Sequence, residues 1–119
     1  MHQAGIIRHL RQGNAITGII DLYGSLSDLP EEFLVDVHTQ AHPVTNGTII
    51  INCSELESIS SHGISQIIQL LICTRRQQQR LLIFGLSEHN RYILEITRLN
   101  QFIDIVETET QAVAALHLS

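Results

Sequence analysis

The sequence predicts an α/β fold: an antiparallel hairpin at the N-terminus, then helices and strands in alternation, building a mixed, mainly parallel sheet with about four helices packed against it. Three observations carry this expectation. The run Thr48-Ile49-Ile50-Ile51-Asn52-Cys53 is apolar at nearly every position rather than at every second one, the pattern of a strand covered on both faces. Two further short apolar runs, 81–86 and 102–106, are set apart by stretches with apolar residues at helical spacing, and such alternation with short connections builds parallel strands. The filling must be aliphatic, because 44% of the 119 residues are hydrophobic and only 4% aromatic. A chain of this length is expected to form one domain over 1–119.

Residues 6–10 read as a first short strand, and Gln12-Gly13-Asn14 as a turn. The second strand covers 15–23. Ile16, Ile20 and Leu22 fall on one face and Thr17, Ile19 and Asp21 on the other, before Gly24-Ser25-Leu26-Ser27-Asp28 breaks the pattern. Asp28, with Pro30 in the next turn and Glu31 three residues on, starts a helix expected to reach about position 39 and to bury Phe33, Leu34 and Val37. Asn46-Gly47 turns the chain into the strand at 48–53.

A helix over about 63–79 follows, with Ile64, Ile67, Ile68, Leu71 and Ile72 as its core stripe and a solvated far end from Thr74 to Arg80. After the strand at 81–86, Ser87 caps a helix with Tyr92, Ile93, Ile96 and Leu99 on its inner face. The strand at 102–106 is last. Thr108 and Gln111 form a capping-box pair for a short helix ending near position 118. No repeat, low-complexity tract or linker interrupts the order.

Composition excludes several functions. The formal net charge is −5 and there is no lysine, which speaks against a nucleic-acid partner and removes Walker-type phosphate loops and Schiff-base chemistry. Arg75, Arg76 and Arg80 cluster at a helix end, where cations complement the dipole. No apolar run approaches the roughly 20 residues of a membrane span, and residues 1–5 do not resemble a signal peptide, so the expectation is a cytoplasmic protein without membrane insertion. Cys53 and Cys73 sit in apolar contexts and read as small buried hydrophobes. The sequons at Asn46 and Asn52 read as chance matches.

Catalysis is not expected. Ser61 stands next to His62, but adjacent residues seldom aim at each other and no Gly-x-Ser-x-Gly elbow is present. His38 and His42 have i, i+4 spacing but lack the His-Glu-x-x-His pattern and a third ligand, so no metal or cofactor is expected. Asp21, Asp28 and Asp104 are assigned to strand ends and a helix cap, in solvent.

The informative stretch is Ser60-Ser61-His62-Gly63, where a buried strand hands over to an amphipathic helix. Small hydroxylated residues there can cap the helix, and its free N–H groups and dipole accept a phosphate. Ser58, Glu55 and Glu57 lie in the approaching loop, and Asp36 on the first helix would stand nearby, making an acidic surround suited to a partner with basic groups. His62 could titrate near neutrality.

Three segments together resemble the STAS domain, the fold of bacterial anti-sigma factor antagonists. Ile19-Ile20-Asp21-Leu22-Tyr23-Gly24-Ser25-Leu26-Ser27 is similar to the family's strand ending in Gly-x-Leu-Asp. The segment from Ile49 through Asn52-Cys53-Ser54 to Ser60-Ser61-His62-Gly63-Ile64 resembles its strand, loop and Asp-Ser-Ser/Thr-Gly-Leu corner. Leu81-Leu82-Ile83-Phe84-Gly85-Leu86-Ser87 resembles the strand and loop before its third helix. Ser60 stands in place of the family's aspartate, His62 in place of its second Ser/Thr, and Ser27 in place of the aspartate after Gly-x-Leu.

The resemblance implies a non-enzymatic switch. In that family the serine after the aspartate is phosphorylated by a serine kinase that is also the anti-sigma factor, and a phosphatase can reset it. That position falls on Ser61, with Ser60 as the alternative acceptor, and Gly63 falls on the family's glycine, which lets the backbone turn tightly. The expected function is therefore to bind the kinase and release a sigma factor. The alternative is a STAS adaptor or scaffold in a signalling or lipid-transport assembly that is never phosphorylated. An edge strand at 6–10 offers a route to a homodimer.

Overall fold

A computed structural model of the chain describes residues 5–12, 15–24, 34–35 and 47–115. The elements are β1 (Gly5–Gln12), β2 (Ala15–Gly24), β3 (Thr48–Leu56), α1 (Ser61–Arg76), β4 (Arg80–Phe84), α2 (Glu88–Ile96), a 3-10 turn (Leu99–Gln101), β5 (Asp104–Val106) and α3 (Glu109–Ala115). The strands form one sheet in the order β1-β2-β3-β4-β5. β1 runs antiparallel to β2, and β2 to β5 are parallel to one another.

Register explains why aliphatic residues suffice for the core. Ile20 is opposite Ile51, Ile51 opposite Ile83 and Ile83 opposite Ile105. One row of β-branched side chains thus crosses four strands, and their branched shape packs well on a pleated surface. That row belongs to the larger core, closed over by Ile67, Leu70 and Leu71 of α1, Leu94 of α2, and Leu99 and Ile103. The alternate residues Ile19, Ile50, Leu82 and Phe84 face the other way and are covered by Ala112, with Ala115 and Val106 beside them. Both faces of the central strands are therefore dry, which is why β3 reads as an unbroken apolar run.

Several boundaries differ from the expectation. β3 continues past Cys53 to Leu56, because β2 resumes pairing after an irregularity between Asp21 and Tyr23 and matches Tyr23 to Glu55 and Gly24 to Leu56. Helix α1 starts two residues earlier than expected, at Ser61, because Ser60 rather than a later residue caps it, and it stops at Arg76, where Gln77 caps the C-terminus and Gln78 takes a left-handed φ of 58°. Its far end is not all solvated: Thr74 and Gln79 are buried. The last strand begins at Asp104, leaving Phe102 exposed.

Two core stripes agree with the expectation only in part: Ile67, Leu71 and Leu99 are buried and Ile64 and Ile93 pack against the core, but Ile68, Ile72, Tyr92 and Ile96 are exposed. On α1 the buried side is Gly63, Gln66, Ile67, Leu70, Leu71 and Thr74, while Ile68 and Ile72 are 39% and 45% exposed. On α2 the buried residues are Asn90 and Leu94, with Ile93 partly covered, and Tyr92 and Ile96 face outward. In both helices polar residues occupy core positions and displace the apolar face around the axis. Ser87 does cap α2, its hydroxyl accepting the Asn90 N–H at 3.1 Å.

Three α-helices are present among the described residues, besides a helical pair at Leu34 and Val35. The rest of the helix expected over 28–39 lies outside the described residues, as do Ser27, Asp28, Asp36, His38, His42, Asn46 and the residues after Ala115. At α3 the Thr108 hydroxyl accepts the Gln111 N–H at 3.1 Å, and the Gln111 side-chain oxygen Oε1 accepts the Glu107 N–H at 2.8 Å, a capping box displaced by one residue. Asp104 is exposed and ion-paired with Arg80, but Asp21 is not in solvent: it is buried and accepts a hydrogen bond from the Asn52 amide at 2.8 Å.

Candidate functional site

The strand-to-helix corner follows directly from the sequence. After Leu56 the chain leaves the sheet, and Glu57 and Ser58 are exposed while Ile59 is buried. That one apolar anchor pins the loop between two polar stretches. Ser60 is extended, with φ −89° and ψ 176°, and its hydroxyl accepts the Gly63 N–H at 3.2 Å while its carbonyl accepts the Ile64 N–H at 2.9 Å. It is the N-cap, satisfying a donor that would otherwise lack an intrahelical partner.

Ser61 is the first residue of α1 and is exposed. The two candidate hydroxyls therefore differ in kind. Ser60 is half-buried and its oxygen is engaged by the helix, whereas Ser61 is an exposed residue. Gly63 lies buried within the first turn and is not among the residues with positive φ, so it is not a turn residue. Its place is explained by packing and by the N–H it gives to Ser60. No acidic side chain lies in the first turn of α1, so the N-terminal end of the helix dipole is uncompensated there, a setting that favours an added negative group.

Three buried or half-buried amides brace this region, and none was singled out from the sequence. Asn90 of α2 is 1% exposed; its Oδ1 accepts the Ile59 N–H at 3.0 Å and its Nδ2 donates to the Glu57 carbonyl at 3.0 Å. Gln66 is also 1% exposed; its Oε1 accepts the Leu34 N–H at 3.3 Å and its Nε2 lies 3.2 Å from His62 Nε2. With Oε1 accepting, the Gln66 Nε2 is a donor, so His62 Nε2 is the acceptor in this contact. His62 is thus tied to its own helix rather than free in a loop.

Asn52, the third, donates to Asp21 and receives both the N–H and the hydroxyl of Ser54, at 2.9 and 2.7 Å. From the other side, the Glu57 N–H donates to the Gly24 carbonyl at 2.7 Å. The available signal for Asn90 and Gln66 is a polar side chain at a core-facing helical position, Asn90 one turn before Ile93 and Leu94 and Gln66 next to Ile67.

Ser58 and Glu57 are exposed in the loop before the corner; Glu55 is exposed too but lies on β3, paired with Tyr23, and not in the loop as the sequence suggests, and Asp36 lies outside the described residues. No cluster of three or more His, Cys, Asp or Glu suited to a metal ion occurs among the described residues. Cys53 is buried in the main core, where desolvation pushes its thiol up to about 12, and Cys73 is only half-buried. A cleft of about 300 Å³ is lined by Arg91, Glu95, Asn100, Ile103, Asp104 and Ile105, and by no residue of the 57–63 corner.

The STAS domain family model matches residues 6–112. The chain belongs to the STAS domain family. Solved structures share its fold at low identity. A Thermotoga maritima protein solved by NMR is 18% identical with a TM-score of 0.73, covering 100% of this chain and 94% of its own. An anti-sigma factor antagonist from Mycobacterium paratuberculosis is 12% identical at 0.69, covering 96% and 95%. The anti-sigma factor antagonist SpoIIAA in its unphosphorylated form is 16% identical at 0.67, covering 96% and 98%. No curated protein matches the chain. No described helix of this STAS domain is long and apolar enough to cross a membrane.

Proposed function

We propose that this STAS domain is an anti-sigma factor antagonist that binds a serine kinase/anti-sigma factor and so frees a sigma factor, with Ser61 as the phosphoacceptor. The observation that carries the reading is the division of labour between adjacent serines: Ser60 Oγ is engaged as the N-cap while Ser61 is exposed at the first position of α1. Structural neighbours described as anti-sigma factor antagonists support the partner class.

A phosphate on Ser61 would add about −1.5 to −2 charges and three acceptor oxygens. At a helix N-terminus these meet the positive end of the dipole, so the domain itself tolerates the group. A partner packed over the corner does not, since it must accommodate charge and bulk at its interface. Exposed Glu55 and Glu57 suit a partner bearing basic groups, and a new anion among them adds repulsion toward anything acidic.

The test is incubation of the full chain with ATP and histidine-kinase-like serine kinases, with the modified residue located by mass spectrometry. Phosphate on Ser61, abolished by Ser61→Ala, supports the switch. Phosphate on Ser60 alone overturns the assignment of the acceptor. Tight binding with no transfer overturns the switch and leaves the adaptor reading.

A further inference from the structure

We propose that Asn90 is the positioning residue of the corner: its side-chain amide, from a different helix, holds the Glu57–Ile59 backbone and thereby sets where Ser61 stands. The inference rests on Ser61 being the acceptor, and adds to that reading the residue that presents it.

The residues between Leu56 and Ser61 belong to no strand or helix, so their backbone groups must find partners elsewhere. Ser58 is exposed and can use water. The Ile59 N–H cannot, because Ile59 is 5% exposed. Asn90 supplies what a neighbouring strand would: one acceptor to the Ile59 N–H and one donor to the Glu57 carbonyl, both at 3.0 Å. A primary amide is the side chain that offers a donor and an acceptor side by side.

Asn90 is itself fixed. It is 1% exposed, and its backbone N–H is held by the Ser87 cap at 3.1 Å. The loop is held at its other margin by the Glu57 N–H to the Gly24 carbonyl. The corner is thus gripped between the end of β2 and the start of α2, and Ser61 follows two residues after the gripped Ile59. An acceptor hydroxyl must be delivered to a kinase in one geometry, and an error near 1 Å in such positioning is costly to transfer.

The test compares Asn90→Leu, which removes both bonds, with Asn90→Asp, which keeps an acceptor for Ile59 and loses the donor to Glu57. Asn90→Asp also serves if Asn90→Leu fails to fold. Amide hydrogen exchange on the full chain without any kinase is the first readout. Exchange at Ile59 and at Gly63 is expected to quicken about tenfold or more in Asn90→Leu and less in Asn90→Asp, with β3 and β4 amides unmoved; a lost buried hydrogen bond is worth that factor.

The second readout is transfer from ATP by whichever serine kinase phosphorylates the wild-type chain. A fall in kcat of about tenfold, partly restored in Asn90→Asp, supports positioning. Unchanged exchange at the corner overturns the proposal, and so does faster exchange with kcat and KM both unmoved. If no kinase modifies the wild-type chain, the Ser61 reading fails instead, and exchange alone decides whether Asn90 holds the corner.

Discussion

Gly85 approaches Ser54 so closely that a Cβ on Gly85 would stand 2.9 Å from the Ser54 backbone nitrogen, nearer than side-chain carbons come to backbone atoms. Its φ of +81° adds a second restriction, since L residues rarely adopt that region. Gly85→Ala is therefore expected to destabilise the fold by about 2 kcal/mol or more. In a chain of this size that is a fall in Tm of roughly 8 °C, read by thermal circular dichroism. An unchanged Tm would mean that β3 and the loop after β4 do not meet in this way.

Ser60 and Ser61 should separate cleanly in stability. Ser60→Ala removes the oxygen that accepts the Gly63 N–H and should cost about 1 kcal/mol in urea unfolding. Ser61→Ala, at an exposed position, should stay within about 0.5 kcal/mol of wild type. Equal effects would contradict the assignment of Ser60 as the cap.

Ser61→Asp should leave the fold intact, with its carboxylate in the first turn of α1 where the dipole favours it. Its effect should fall on a bound serine kinase. A micromolar complex is worth roughly −8 kcal/mol, and a cost of about 3 kcal/mol from repulsion and lost packing lowers affinity by about two orders of magnitude. Calorimetric titration checks this; Ser61→Asp binding as tightly as wild type would remove the basis for a switch.

The inner and outer faces of α1 can be told apart by truncation. Ile67 is 2% exposed and Ile68 is 39% exposed. Ile67→Ala should cost about 3 kcal/mol through lost burial and the cavity left behind, and Ile68→Ala less than about 1 kcal/mol. Comparable costs at the two positions would restore the stripe expected from spacing alone, which holds both.

Burial raises the Cys53 thiol from 9.0 to about 12. Below pH 9 the thiol is protonated whether the chain is folded or unfolded, and Cys53 makes no pH-dependent contribution. Between about 9 and 12 the unfolded chain releases the proton and the folded chain keeps it, so stability falls as pH rises, by up to about 1.4 kcal/mol per pH unit. Comparing urea midpoints of wild type and Cys53→Val across that window isolates this contribution from other alkaline titrations. The difference between them should shift steadily against wild type. A flat difference would place Cys53 in contact with water.

The succession of strands along the chain and the parallel character of the sheet were legible because the chain's apolar runs are short, separate and bounded by turn residues, as at 48–53 and 81–86; the order of the strands within the sheet was not read from the sequence. The family resemblance was legible for the same reason: its motifs sit at the ends of those runs. Helix facing was less legible. Spacing alone makes Ile64, Ile68 and Ile72 as good a stripe as Ile67 and Leu71, and only the placement of Gln66 and Thr74 inward decides between them.

The bracing amides were hidden for a related reason. Asn90 and Gln66 bond to Glu57, Ile59 and Leu34, which are 31 to 33 residues away, and a single sequence does not report a partner at that distance. The sequence suggests a solvated strand end at Asp21 because the Asn52 that donates to it lies one strand over, in register.

The seven-residue helix α3 lies alone, among the described residues, over the sheet face opposite α1 and α2, and it makes that contact through alanines. Side chains so short let a helix sit almost flush on Ile50 and Leu82, like a thin lid of veneer. A protease cut just before Glu109 would strip it off and leave Ile19, Ile50, Leu82 and Phe84 wet on an otherwise finished sheet. Truncated chains should clump before they unravel.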